Sequence, residues 1–365
     1  MKFIFATFVS ALVFVGILNV HVSTLFLKHQ SLSSSPEETF AIQRGPLTAP
    51  GDATRTPDVV ATTSYRQRNN PPRRALVIAS VPRSLKHVVG LWSELECFTS
   101  DVDAVILSGP SWSKPILEQI VTMAQQRLPR FAAATDKQIP IQTLYFVNNR
   151  YDVGLWCDAL QFLDENAKGD AALSAYDEVA LLNDSVFALR EYDGILKALS
   201  EKDVRMTSLS YSLYGPSLKG YGMEHKWLES VWRGFDREGL QTFREYSCRP
   251  ANDKLYCPKK RGWKKKKCII DNFERAVGQQ FPPDKTWGLF SSDVPTRILT
   301  SKNWFRTWVM NEAYWEMLLE QGFPVSKISY DKMIDSVDDD RLKTCTSKMD
   351  RQAMDKMDFS IVPKK

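Results

Sequence analysis

Four short apolar runs, each closed by polar residues and each separated from the next by an amphipathic stretch, constrain this chain more than any other feature. They lie at 75–80, 104–108, 143–147 and 179–182. None alternates apolar with polar residues, so the strands they predict must be covered on both faces, as in a parallel sheet flanked by helices. The stretches 85–98, 114–131 and 154–167 carry apolar residues at helical spacing; in the last, Leu155, Ala159 and Phe162 run beside Trp156, Leu160 and Leu163. This βαβα alternation predicts an α/β fold with a Rossmann-type, mostly parallel sheet. Ligands of such sheets bind outside the carboxyl ends of the strands. Further on, the pattern predicts a fifth strand at 205–209 and helices at 226–246 and 301–322.

Ahead of the first run the composition changes. From Phe3 to Val20 there is no charged residue, and the apolar stretch continues to Leu27, long enough at about 1.5 Å per residue to cross a bilayer core of roughly 30 Å. The polar step at Asn19, His21, Ser23 and Thr24 makes a poor cleavage site, so 1–27 reads as a signal-anchor transmembrane helix. Lys2 and the α-amino group keep the short N-terminus cytosolic, which predicts a single-pass type II protein with its bulk in the Golgi lumen. Residues 28–73 are rich in Ser, Thr and Pro without periodicity and read as a disordered stem. The folded catalytic domain is expected over 74–330, with 331–365 as a C-terminal tail.

The net charge of +5 hides a local concentration: seven basic residues and no acid lie between Cys257 and Cys268, and the rest of the chain is close to neutral. A general nucleic-acid footprint is therefore absent. The run Lys259–Arg261 with 264–267 reads either as a solvated charge cluster or as a platform for an anionic acceptor. The six cysteines are even in number, as disulfide pairing in an oxidising lumen would require. Cys248, Cys257 and Cys268 stand close enough in sequence to tie down the basic segment, whereas Cys97 and Cys157, in apolar surroundings, read equally as buried thiols.

Several chemistries are excluded. Within 74–365 the histidines are His87 and His225, too few for a three-histidine metal site, and there is no G-x-S-x-G, H-E-x-x-H, G-x-x-x-x-G-K-[ST] or G-x-G-x-x-G motif. What remains is N-R-Y-D-V-G-L-W-C-D-A-L from Asn149 to Leu160, after the third run, and Y-D-E-V-A-L-L-N-D-S-V-F from Tyr176 to Phe187, containing the fourth. A late G-F-P-V-S-K runs from Gly322 to Lys327. With these motifs in this order the chain resembles the rhamnan synthesis protein F family of polysaccharide glycosyltransferases, loosely from Arg74 to Lys327. It departs from the family pattern at Arg150 and Tyr151, at Ala188-Leu189 and at Glu229-Ser230. The resemblance implies a GT-A-like fold, a nucleotide-sugar donor and a glycan or polysaccharide acceptor.

Physical chemistry points to the same place. A carboxylate at a strand's carboxyl end can hold Mn²⁺ or Mg²⁺ against a donor diphosphate and balance its charge as the glycosidic bond breaks. Asp184 is the candidate for that catalytic and metal-holding role. Asn183 and Ser185 are candidates for the ion's waters or the sugar hydroxyls, with Asn149, Asp152, Trp156 and Lys327 as further substrate-binding positions. Other readings stay open: Asp152 as a helix N-cap, Trp156 as core packing, and Asn183-Asp184-Ser185 as a polar turn or a glycosylation sequon. The expected function is a glycosyltransferase. The alternative is a non-catalytic, membrane-tethered carbohydrate-binding protein.

Overall fold

The first predicted strand forms at Arg74–Ala79 (β1), and the computed structural model places it inside a sheet with Ala75 to Ala79 fully buried. The structure describes residues 71–132, 138–147, 150–212, 227–291, 315–327 and 339–363. The expected anchor and all but the last residues of the expected stem lie outside these. Among the described residues no helix is long and apolar enough to cross a membrane.

The next strands are β2 (Ala104–Pro110), β3 (Ile141–Phe146) and β4 (Glu178–Asn183). β2 lies parallel to β1 and then β3 to β2, while β4 lies parallel to β1 on its other edge. Between them run α1 (Leu85–Cys97), α2 (Lys114–Arg127) and α3 (Tyr151–Glu165). Right-handed crossovers that move outward from β1 to β3 put their helices on one face, and the return from β3 to β4 puts its helix on the other. The two cores follow this rule. Leu76, Ile78, Val105 and Leu107 pack with α1 and α2, whereas Ala75, Val77, Ala104 and Ile106 pack with α3. Helix α2 stops at Arg127, short of the expected 131, because Pro129 holds Leu128 extended (ψ 113°).

Beyond β4 the sheet is no longer wholly parallel. A short β5 (Val186–Ala188) pairs antiparallel with β10 (Val325–Lys327), outside the main sheet. In the main sheet, β6 (Met206–Ser212) is flanked on one side by β9 (Thr286–Ser291), in parallel. β7 (Trp227–Leu228) and β8 (Trp232–Asp236) are both antiparallel to β6, and β8 is antiparallel to β4 as well. The sheet, in the order β3-β2-β1-β4-β8-β6, is thus mostly parallel, as expected, with antiparallel pairing confined to β7 and β8.

The helix expected at 226–246 is corrected. After a short α4 (Gly194–Glu201), only Arg237–Ser247 (α5) of that stretch is helical. Asp236 caps it, its carboxylate accepting from the Gly239 N–H at 2.7 Å, and 227–228 and 232–236 before it are strand. Gly234 permits the close approach of β8 to β6, since a Cβ there would stand 2.5 Å from Thr207 Oγ1. Of the stretch 301–322, residues Trp315–Glu320 form a helix (α7) and 301–314 lie outside the described residues.

All six cysteines are paired: Cys97–Cys345, Cys157–Cys248 and Cys257–Cys268. This settles Cys97 and Cys157 as disulfide partners rather than free thiols; their apolar setting is that of a disulfide inside the core. The first bridge draws the expected tail into the fold, with Leu342, Cys345, Met354 and Met357 joining the core that holds α1.

Candidate active site

The sheet reverses its direction of growth between β1 and β4, and the crevice at the carboxyl ends of those two strands is the topological switch point. Asp184 sits in that crevice. Its N–H donates to the Ala79 carbonyl at 3.1 Å, and its Oδ2 accepts from Ser80 Oγ at 2.9 Å and from the Val81 N–H at 2.5 Å. The carboxylate that ends β4 is thus held by the residues that end β1. Asp184 is only 4% exposed.

Asn183 links this point to α3. Its Nδ2 donates to Asp152 Oδ2 at 3.1 Å, and its Oδ1 accepts from the Ser185 hydroxyl at 2.6 Å and the Ser185 N–H at 3.3 Å. Asp152 stands in the first turn of α3, one position past the start, and Arg150 is the N-cap residue. Asp152 is therefore not the cap; its charge favours the helix N-terminus and its oxygen orients Asn183. Trp156 is core, 1% exposed, and its indole N–H donates to the Leu182 carbonyl at 2.9 Å, pinning α3 to the end of β4. Of the candidate residues, Asp152, Asn183, Asp184 and Ser185 converge. Lys327 pairs in the ladder with Val186, two residues past Asp184. Asn149 lies outside the described residues.

Two features of the crevice escaped sequence reasoning. Glu94, on α1, is fully buried, and neither of its carboxyl oxygens has a hydrogen-bond partner. Burial, and after it the nearby Asp184 charge, raises its pKa well above the ordinary range. The signal was there: Glu94 falls three residues after Leu91 and beside Leu95, in the apolar stripe of α1.

The second feature is the break between β7 and β8. Pairing with β6 takes three steps from Ser208 to Tyr211 but five from Leu228 to Arg233, so two residues are in excess on the β7–β8 side. The resulting bulge places the Val231 carbonyl 3.4 Å from the Asn183 N–H, at the mouth of the crevice. Arg233, 1% exposed, holds it together: Nη2 donates to the Leu228 carbonyl at 2.9 Å, Nε to Glu229 at 3.2 Å and Nη1 to Phe273 at 3.2 Å.

Among the described residues no three His, Cys, Asp or Glu side chains converge to hold a metal. A hard divalent ion at this place would take one protein carboxylate, Asp184, and complete its shell with phosphate oxygens and water, which is a common arrangement for Mg²⁺. Two clefts, of about 640 Å³ and about 280 Å³, lie elsewhere. The larger opens between α3 and α5, near Tyr176 and Val179 at the opposite end of β4, and neither is lined by Asp184.

No protein-family model matches this chain, and no curated protein matches it significantly. Among solved structures it is similar to 4-diphosphocytidyl-2C-methyl-D-erythritol synthase from Anaerococcus prevotii DSM 20548, at 11% identity and a TM-score of 0.34, over 60% of this chain and 89% of that one. It is also similar to the apo form of the bifunctional glycosyltransferase WbbM, at 9% identity and a TM-score of 0.39, over 72% of this chain and 47% of that one. Likenesses this slight carry no weight for function; strand order and crevice geometry must.

Proposed function

We propose that this protein is a glycosyltransferase with a GT-A-like fold that moves a sugar from a nucleotide-sugar donor to a glycan or polysaccharide acceptor. The observation that carries the reading is the position of Asp184, at the carboxyl end of β4, clamped to the end of β1 across the switch point. A donor diphosphate seated there would have its leaving phosphates next to a fixed carboxylate. A divalent cation, Mn²⁺ or Mg²⁺, would supply the positive charge that lets the two anions meet and that stabilises the departing diphosphate. Ser80 and Val81 fix the carboxylate in advance, so little reorganisation is needed when the donor arrives. Asn183, its amide held by Asp152 and Ser185, fixes the chain immediately before Asp184. The first turn of α3 adds the positive end of a helix dipole.

The compartment belongs to the same proposal. Three disulfides suit an oxidising lumen, and an apolar N-terminus suits an anchor, so the protein is read as a type II resident of the Golgi membrane. The burial of Asp184 favours a second reading, a carbohydrate-binding protein without turnover.

The two readings separate on one substitution. Full-length protein is incubated with a panel of nucleotide sugars and acceptors, and nucleoside diphosphate release is followed. The glycosyltransferase reading expects release from at least one donor and a fall of about a hundredfold or more in Asp184→Asn, the scale on which a charge-stabilising group acts. Equal release by parent and variant would refute the role of Asp184, and no release from any donor would favour the binding protein.

A further inference from the structure

The crevice makes no use of the basic residues between Cys257 and Cys268, yet the structure presents them with some care. The Cys257–Cys268 disulfide, with a Cα–Cα distance of 6.5 Å, closes the segment into a knuckle whose second half is the helix α6 (Gly262–Ile269). Lys259, Lys260, Arg261, Lys264 and Lys266 are exposed and make no ion pair with a described residue. Trp263 stands among them, 69% exposed. The base of the knuckle is rigid: Ile269 and Phe273 are buried, Tyr256 stacks on Phe273 at 4.6 Å, and Asn272 Nδ2 donates to the Leu255 carbonyl at 2.7 Å.

The knuckle is also coupled to the crevice. Arg150, the residue before α3, lies 5.4 Å over the Tyr256 ring and donates to the Arg249 carbonyl, while Arg233 of the bulge donates to Phe273. A chain lying along the knuckle would be held next to elements that shape the mouth of the active site.

We infer that this disulfide-closed knuckle binds a polyanionic glycan, a chain of uronic or sulfated sugars, with Trp263 stacking on a sugar ring and the lysines pairing along the chain. As far as that chain is the acceptor, the inference rests on the glycosyltransferase reading; as a binding surface it stands apart from it. The alternatives fit less well. A membrane surface is met by a continuous apolar helix face, and α6 offers Trp263 alone because Ile269 is buried in the core. Nucleic acid is met by a broad basic field, and this chain is close to neutral outside the knuckle.

The test measures binding of full-length protein to heparin and to polygalacturonate, with dextran, single-stranded DNA and phosphatidylserine vesicles as comparisons. The parent should bind the two acidic glycans and not dextran, losing about tenfold or more in affinity between roughly 50 and 300 mM salt. A variant with alanine at Lys264, Lys265, Lys266 and Lys267 should lose about tenfold at low salt. Trp263→Ala, at an exposed position that folding does not need, should lose about threefold or more against the glycans at unchanged charge. Acidic-glycan binding unaffected by these changes, or DNA or vesicles binding as tightly as the glycans, would overturn the inference. Thermal stabilisation by nucleoside diphosphate should be unchanged in the lysine variant. A protein that binds acidic glycan through the knuckle but responds to no nucleotide would keep this inference and lose the glycosyltransferase reading.

Discussion

Glu94 is the residue whose environment differs most from what its chemistry prefers. Buried and without a hydrogen-bond partner, it holds its proton more tightly than a free carboxyl does, because ionisation would leave an unsolvated charge near Asp184. Asp101 behaves alike: burial raises it to about 6 although Arg74 stands 2.9 Å away and opposes the shift. Both folded values lie above the unfolded ones, so the native state holds these protons more tightly. Their stabilisation is complete below about pH 4 and is lost as the pH rises through the folded values. The melting temperature of the full-length protein, free of divalent cations, should therefore fall as the pH rises from about 4 through about 6, where Asp101 titrates, and fall less in Glu94→Gln. A melting temperature that rose over that range, or an unchanged slope in the variant, would contradict this. At Asp184 the Asn variant keeps an oxygen for the Ser80 and Val81 donors, whereas Asp184→Ala leaves both unpaired and should cost about 1–3 kcal/mol. Chemical denaturation of the two variants measures the difference.

The elements that sequence reasoning located are those with one unbroken physical pattern. β1 to β4 are continuous apolar runs because helices cover both of their faces, and α1 to α3 are periodic because each packs one stripe on the sheet. β7 and β8 were read as helix because their bulge puts two extra residues into the strand and destroys its alternation, while Trp227, Leu228, Val231 and Trp232 mimic helical spacing. Asn183-Asp184-Ser185 was legible because it closes an apolar run. Glu94 lies in the apolar stripe of α1, where a single charged residue interrupts the helical period too little to stand out. Arg233 was missed because its partners are carbonyls from Leu228, Glu229 and Phe273, invisible before the chain folds. Arg233→Ala removes the guanidinium's three hydrogen bonds to backbone carbonyls, of which Glu229 keeps a second donor, the Ser208 hydroxyl at 2.7 Å, and should lower stability by about 3 kcal/mol or more. Because the bulge borders Asn183, nucleotide response should weaken with it; a variant as stable as the parent in urea would show that the guanidinium does not hold the bulge.

For the whole molecule the longest-range constraint is the Cys97–Cys345 disulfide, which joins residues 248 apart in sequence and fastens the C-terminal segment to α1. No spacing rule reveals such a pairing, which is why 331–365 read as a tail. Replacing both cysteines by alanine should cost about 2–5 kcal/mol and leave the sheet intact; equal melting temperatures for parent and double variant would show that the bridge constrains little. The reversal between β1 and β4 sets Asp184 at the switch point, where the proposed function seats the donor diphosphate. The most direct measurement is the thermal unfolding of full-length protein with each common nucleoside diphosphate, with and without Mn²⁺. A ligand at about 100 times its Kd adds about 2.7 kcal/mol, enough to raise the melting temperature by several degrees. We expect at least one nucleotide to do so, with a larger rise in Mn²⁺ and none in Asp184→Asn. A flat response to every nucleotide, or an equal rise in that variant, would contradict a donor site at Asp184.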